Sequence, residues 1–523
     1  MSVGNRKSQS FFAQTPEINI QRSSFDRSFT IKDTFNFDEL TPMFLDEVLP
    51  GDTINLNLHT LIRLQTQVVP IMDNMYTKFF FFYCPSRLLW DNFTKMMGER
   101  LNPSDSINFT VPQISLPDVG VTVGSLAEKL GFNVNIGSSL QTTTALPFRM
   151  YNKIWNEWFR SSELQDQIVV DLDNGPDDYA DYSIKKINKK HDYFTSALAN
   201  PQKGTALQIP ASSALVTLKG SAPYPQQLYK QTATGAVPGA ISNINTSAPG
   251  ASYMAAGGIA VTMDPQGSLE VGLQAAMGTI NELRTAFQLQ TLLERDNRGG
   301  TRYNELIYSH FKVTIPDYRL QRTEYLGGGL ININTSAVPN TGTDLADLGA
   351  FATASSASSS IGFTHSFQEH GYIIGLAVAT ADITYQQGIN KLWSRRTRYD
   401  FFWPELQQLG EQAILNQEIY YQGTSDDTTV WAYAERYAEY KFKPSEIHGE
   451  FRSQFSTPLD MWHLAQEFSS LPAFNSGFLE SATPIDRVLT STTNDALKAD
   501  YFFKYNHTRP MMAHPIPAGL GRF

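Results

Sequence analysis

Only one cysteine, Cys84, occurs in the 523 residues. A single thiol excludes an intrachain disulfide framework and a cysteine-based zinc site, and it fits folding in a reducing cytoplasm. It sits in the run FFFFYCP, where a buried strand residue is a better reading than a nucleophile. Charge is sparse, at 18% of residues, and it is not biased to the positive, since the formal net charge is −10 at pH 7. A chain that neutralised a nucleic acid alone would be basic, so contact with nucleic acid must be local or shared. The opening MSVGNRKSQSFFAQ has no apolar core of a secretory signal. No apolar run is long enough to span a bilayer, so the chain is not expected to be a membrane protein. The phosphate-loop pattern GxxxxGKS/T, the zinc pattern HExxH and the nucleophile elbow GxSxG are all missing, and Gly327-Gly328-Gly329 lacks the GxGxxG spacing. His365 and His370 fit neither a helical nor a strand face and read as isolated surface histidines. Oxygen ligands for calcium, or a glycosidase-type carboxylate pair, can be neither picked out nor dismissed by spacing.

What is present is apolar and aromatic: 41% hydrophobic residues and 12% aromatics, which suggests a strand-rich protein with much buried or contact surface. Phe29, Ile31, Phe35 and Phe37 alternate with polar residues, as do Ile54, Leu56 and Leu58 after the turn Pro50-Gly51-Asp52. Both patterns predict half-buried strands. Residues 76–84 are apolar on both faces, as for a strand between two layers. Ser86 predicts the N-cap of a helix carrying Leu89, Trp90, Phe93 and Met97, with Gly98 as its stop. Strand pattern returns in GYIIGLAVATADITY, 371–385. Tyr151, Ile154, Trp155, Trp158 and Phe159 share one helix face; core packing is the first reading and a subunit interface the second.

Residues 281–329 hold a denser pattern. Leu283, Ala286, Phe287, Gln290 and Leu293 predict one helix face, and Arg298-Gly299-Gly300 breaks the helix. Tyr303, Leu306, Ile307, His310 and Phe311 predict a second helix, closed by Pro316. Arg319 and Arg322 follow, then an expected glycine turn at Gly327–Gly329. Two softer stretches stand apart. Residues 205–278 are rich in Ala, Gly, Ser, Thr and Pro, and 231–263 contain no charged residue, which predicts a surface insertion with ordered, contact-making loops. Residues 330–368, with ATASSASSS, predict a second surface loop.

Several blocks, in order, resemble the major capsid protein of the Microviridae, in its gokushovirus branch. They are TPMFLDEVLPGDT with CPSRLLWDNF, LPFRMYNKIWNEWFRSSELQD, KKHDYFTSALANPQKG, LLERDNRGGTRYNELIYSHF with PDYRLQR, and TYQQGINKLWSRRTRYDFFWPELQQLGEQAI. Ala199-Asn200 departs from the pattern, where a Pro-containing pair is usual. The resemblance implies an eight-stranded jelly-roll β-sandwich elaborated by helices and long insertions. It implies a structural protein, not an enzyme, with no cofactor. About 60 copies would form a homo-oligomeric T=1 icosahedral shell around a circular single-stranded DNA genome. The partners it implies are a small basic DNA-packaging protein, a minor or pilot protein, a scaffolding protein and a host-cell surface receptor. The place it implies is the virion, assembled in the host bacterial cytoplasm. A jelly-roll carbohydrate-binding module or a carbohydrate-active enzyme is the rival reading, since such folds host both.

On this frame, residues 1–26 form an N-terminal arm, 27–204 and 279–523 the capsid domain, 205–278 a three-fold protrusion and 330–368 a variable loop. Arg6, Lys7, Arg22, Arg27 and Lys32 outweigh Glu17 and Asp26, so the arm is either a solvated terminus or an inward arm that meets neighbours or genome. Arg395, Arg396 and Arg398 alternate with aromatics, which suits single-stranded nucleic acid. It suits ion pairs with acids such as Asp400 and Glu405 equally, and the negative net charge favours that structural role. In the insertion, Tyr224, Tyr229, Tyr253 and Met254 are the receptor-contact candidates.

Overall fold

The computed structural model describes residues 21–134, 142–204, 280–336 and 353–514, together with short strands between 216 and 271. The chain divides into two compact units, Met1–Pro201 with Asp296–Phe523, and Gln202–Arg295. The protein is mainly β, with antiparallel sheets and some helices.

Eight long strands build the larger unit. They are β1 (Phe29–Phe35), β2 (Thr41–Val48), β3 (Thr53–Leu64), β4 (Met75–Pro85), β5 (Glu324–Ser336), β6 (Thr353–Ser366), β7 (Gly371–Ala381) and β8 (Leu497–Arg509). Neighbours run β1–β8–β3–β6 in one half and β2–β7–β4–β5 in the other. The halves join where Asn334–Ser336 of β5 pair with Thr353–Ser355 of β6. A short strand, Ser23–Asp26, continues the β1 edge along β8.

Side-chain alternation explains the layers. Ile54, Leu56, Leu58 and Ile62 of β3 point inward and are wholly buried. They meet Phe79 and Phe81 of β4 and Tyr501 and Phe503 of β8 in one core between the two halves. Phe44 of β2 lies 5.3 Å from Phe503 across that core. The other face of β4 carries Phe82 and Cys84 into a second core with Ile374, Leu376 and Val378 of β7. This strand therefore lies between two layers, as its doubly apolar sequence requires. Helix α1 (Leu146–Ile154) covers the second core through Phe148, Tyr151 and Ile154. A third core surrounds the hairpin Glu411–Leu415 with Val430–Glu435.

Four local expectations need correction. Gly327–Gly329 form no turn; they lie inside β5, beside a bulge at Tyr325/Gly327. The glycines are required by close approach: a Cβ on Gly328 would collide with the Phe79 carbonyl oxygen, and one on Gly329 would sit 2.7 Å from Ile361. Of the expected loop 330–368, residues 330–336 and 353–366 are strand, because backbone pairing with β4 and β3 needs no bulky side chain; 337–352 lie outside the described residues. Ser86 caps no long helix. It is buried in a short 3-10 turn, Ser86–Leu88, and a separate turn Phe93–Met96 ends at Gly98, whose φ is +105°. Finally, helix α2 (Ile280–Gly299) forms where the periodicity predicts it, but Leu283 and Phe287 are exposed. Gly300, at φ +93°, ends it, and α3 (Tyr303–Phe311) follows. Lys312 in the left-handed region stops α3, before Pro316 is reached.

In the smaller unit, Tyr229–Thr232 pairs with Gly235–Val237 and with Ile259–Thr262, and Met254–Ala255 pairs with the last. Val216–Leu218 pairs with Leu269–Val271.

Candidate assembly and genome-contact surfaces

The aromatic helix face turns inward. Beyond α1 the chain widens into a π-type turn, Trp155–Phe159, which keeps the large rings on the second core. Trp155 is buried and donates its indole N–H to the Lys186 carbonyl at 3.0 Å. Trp158 donates to Thr323 Oγ1 at 2.8 Å, under the Arg322 guanidinium 4.3 Å from its ring. Phe159 meets Phe80 edge-on at 5.3 Å. Beneath them Arg149 is fully buried against Asp177.

The arginine cluster sits on a loop with many exposed rings. Arg395 lies 3.4 Å from Glu439 and stacks 4.3 Å over Tyr440. Arg398 stacks 4.7 Å over Trp403. The Asp400 carboxylate accepts from the backbone N–H of Thr397 at 2.6 Å and of Arg396 at 2.9 Å, and these bonds hold its pKa below the ordinary range. The Arg396 guanidinium is exposed and forms no ion pair among the described residues. Trp393, Tyr399 and Phe401, its near neighbours in the chain, are exposed as well. Arginine beside aromatics is the composition of macromolecular contact surfaces, and two of these three arginines already have partners within the subunit.

The basic residues of the arm divide. Arg6 and Lys7 lie outside the described residues. Arg22 donates to the Gly51 carbonyl at 2.6 Å and to Thr53 Oγ1 at 3.0 Å. Arg27 pairs with Asp46 at 2.5 Å, and Lys32 with Asp500 at 2.8 Å. Tyr229 and Met254 lie in short strands of the smaller unit; Tyr224 and Tyr253 lie outside the described residues.

Sequence reasoning missed a buried polar network at the end of the sheet. His507 and Asp52 have no exposed side-chain surface and lie 2.9 Å apart. Arg509 reaches the same Asp52 oxygen at 3.2 Å, and Arg27 lies 3.0 Å from His507 Nδ1. The Tyr505 hydroxyl donates to Asp46 at 2.5 Å. Burial pushes the His507 pKa below its ordinary value. The alternation of Tyr505 and His507 along one strand face was the available signal; the partner in a distant turn left none. His365 lies 3.9 Å from Glu324. Among the described residues no cluster of His, Cys, Asp or Glu could hold a metal ion, and no helix is long and apolar enough to cross a membrane.

The larger unit is an antiparallel β-sandwich with a loop that presents arginine among exposed rings, a composition that suits contact with other macromolecules. The chain belongs to the phage capsid family described as Capsid protein (F protein), whose model matches residues 13–518. It is 49% identical, over the whole of both chains, to capsid protein VP1 of Bdellovibrio phage phiMH2K. It is 36% identical to capsid protein VP1 of Chlamydia phage 1, over 98% of each chain. It is 32% identical to that of Spiroplasma virus 4, over 93% of each. The gokushovirus-type resemblance therefore holds along the entire chain. The protein is a structural capsid component of the virion, not an enzyme, and a capsid subunit works as an oligomeric shell.

Proposed function

We propose that this chain is the major capsid protein of a T=1 shell, about 60 copies matched around closed symmetry axes, enclosing a circular single-stranded DNA genome. In this reading the sandwich is an eight-stranded jelly roll. The observation that carries it is the strand order, β1–β8–β3–β6 against β2–β7–β4–β5, in which strands distant in sequence become neighbours. Residues 205–278 are then the insertion that projects at the three-fold axes and contributes to host-cell attachment. The segment 1–26 is the inward arm. Arg6, Lys7 and Arg396 are the basic residues left for genome or neighbour contact, whereas Arg395 and Arg398 mainly shape their loop. A small basic packaging protein, a scaffolding protein, a pilot protein and a host receptor complete the set of partners, and assembly takes place in the host cytoplasm. Size exclusion and electron microscopy of the expressed chain test the reading. Pentamers or closed shells of one size are the expected result. A stable monomer that never forms particles, even with the virus's scaffolding protein present, overturns it.

A further inference from the structure

A cavity of about 530 Å³ opens beside the segment 466–487 of the larger unit. Phe468, Pro472, Phe478 and Pro484 give it an apolar lining, and Lys189 and Arg487 give it two cations. Lys189 is 7% exposed, and its ammonium stands 4.2 Å from the centre of the Phe478 ring. Among the described residues no carboxylate is close enough to form an ion pair with it. The carboxylates that act on it from a distance, Asp192 and Asp38, are committed elsewhere. Asp38 accepts from Ser481 Oγ at 2.7 Å and from the Thr483 N–H at 2.6 Å. Asp192 accepts from the Thr195 N–H at 2.7 Å and the Tyr385 hydroxyl at 2.8 Å. Arg487 is held by backbone carbonyls, those of His463 and Ala465, both at 2.8 Å.

A buried ammonium without a counter-charge is unfavourable, and a structure that keeps one at a cavity wall leaves a place for an anion. We infer that this cavity is a binding site for a carboxylate carried on an apolar body, with Lys189 as its cationic partner and the Phe478 wall as its apolar seat. The volume falls in the range of small-molecule sites, about 300–1,000 Å³. The lining also carries Glu467 and Glu480, which repel a dianionic phosphate more than a monocarboxylate, and inorganic phosphate has no apolar body for the Phe478 wall. Burial pushes the Lys189 ammonium down to about 8. Carboxylate binding restores the proton, so binding near that pH takes up a proton from buffer.

Calorimetric titration of the full-length protein with phenylacetate, phenylacetamide and inorganic phosphate tests this. Phenylacetate should bind saturably, and the neutral amide about tenfold more weakly or worse, because it leaves the ammonium unpaired. At the Lys189 titration pH, the heat should change with the ionisation enthalpy of the buffer. Lys189→Met should abolish that dependence and weaken phenylacetate about tenfold. Equal affinity for acid and amide, tighter binding of inorganic phosphate, or no phenylacetate binding by the folded protein overturns the site. If Lys189→Met fails to fold, the comparison of acid with amide on the wild-type chain decides alone.

Discussion

Arg149 shows what a single side chain can hold in place. Its guanidinium has no exposed surface and makes a bidentate pair with Asp177, at 2.8 and 2.5 Å, while also donating to the Leu89 carbonyl at 3.1 Å. Asp177 accepts from the Tyr182 hydroxyl as well, at 2.5 Å. Removing one partner of a fully buried pair strands the other charge, so Asp177→Ala should lower subunit stability by about 3–5 kcal/mol in urea unfolding. A loss below about 1 kcal/mol would mean that Asp173, 3.4 Å from the same guanidinium, takes over the charge. His507 supports a pH prediction. Asp46, Asp52, Arg27 and Arg509 all face its ring, and burial depresses its pKa in the folded chain. The unfolded chain therefore takes the proton first, and stability present above the ordinary value of about 6.5 is lost as pH falls below it. Between about pH 7 and 5 the melting temperature of the wild type should fall more than that of His507→Gln. Equal slopes would remove the imidazole from the account. Neither site was legible in the sequence. Arg149 stands in a block that reads as an aromatic helix, and its partner lies 28 residues on, in a loop with no periodicity.

At the scale of elements, strands that bury one face were easy to read. β1 and β3 alternate because one side meets the core and the other meets solvent. β5 and β6 hid themselves. Their stretches EYLGGG and ATASSASSS are small or polar, and small side chains leave no alternation in hydropathy. What places them is backbone pairing, Leu330 with Lys78 and Ser355 with Arg63, which leaves little trace in side-chain identity. Gly328→Ala tests the close approach. Its methyl would strike the Phe79 carbonyl, so β5 must shift or part from β4. The expected outcome is a subunit that unfolds early or goes to the insoluble fraction, with a loss of about 1–3 kcal/mol if it stays soluble. A variant with unchanged melting would show that β5 has slack there. Helix α2 teaches the converse: its period was read correctly, yet periodicity says only which residues share a face, not whether anything covers it.

For the whole molecule, the family was legible because several blocks recur in order over the full length, whereas contact roles were not, because they depend on neighbours. Charge still constrains them. Each copy adds a net −10, and of the basic residues singled out, Arg22, Arg27, Lys32, Arg395 and Arg398 already have partners inside the subunit. The purified subunit should thus bind single-stranded DNA weakly, with a shallow dependence on salt, and filled particles should hold a separate basic protein, polyamines or divalent ions. A salt titration checks this. Tight binding with a steep slope, lost in a triple alanine variant of Arg395, Arg396 and Arg398, would reverse the view of that loop. The order of the strands carries a further consequence, one of timing. β8 lies between β1 and β3, and Leu497 pairs with both Phe35 and Leu64. A ribosome delivers β1 and β3 long before β8 exists, so half of the sandwich waits with an open seam until β8 emerges. A product that stops before β8 lacks the strand that closes this seam, and it should fail to fold into a subunit able to join a shell.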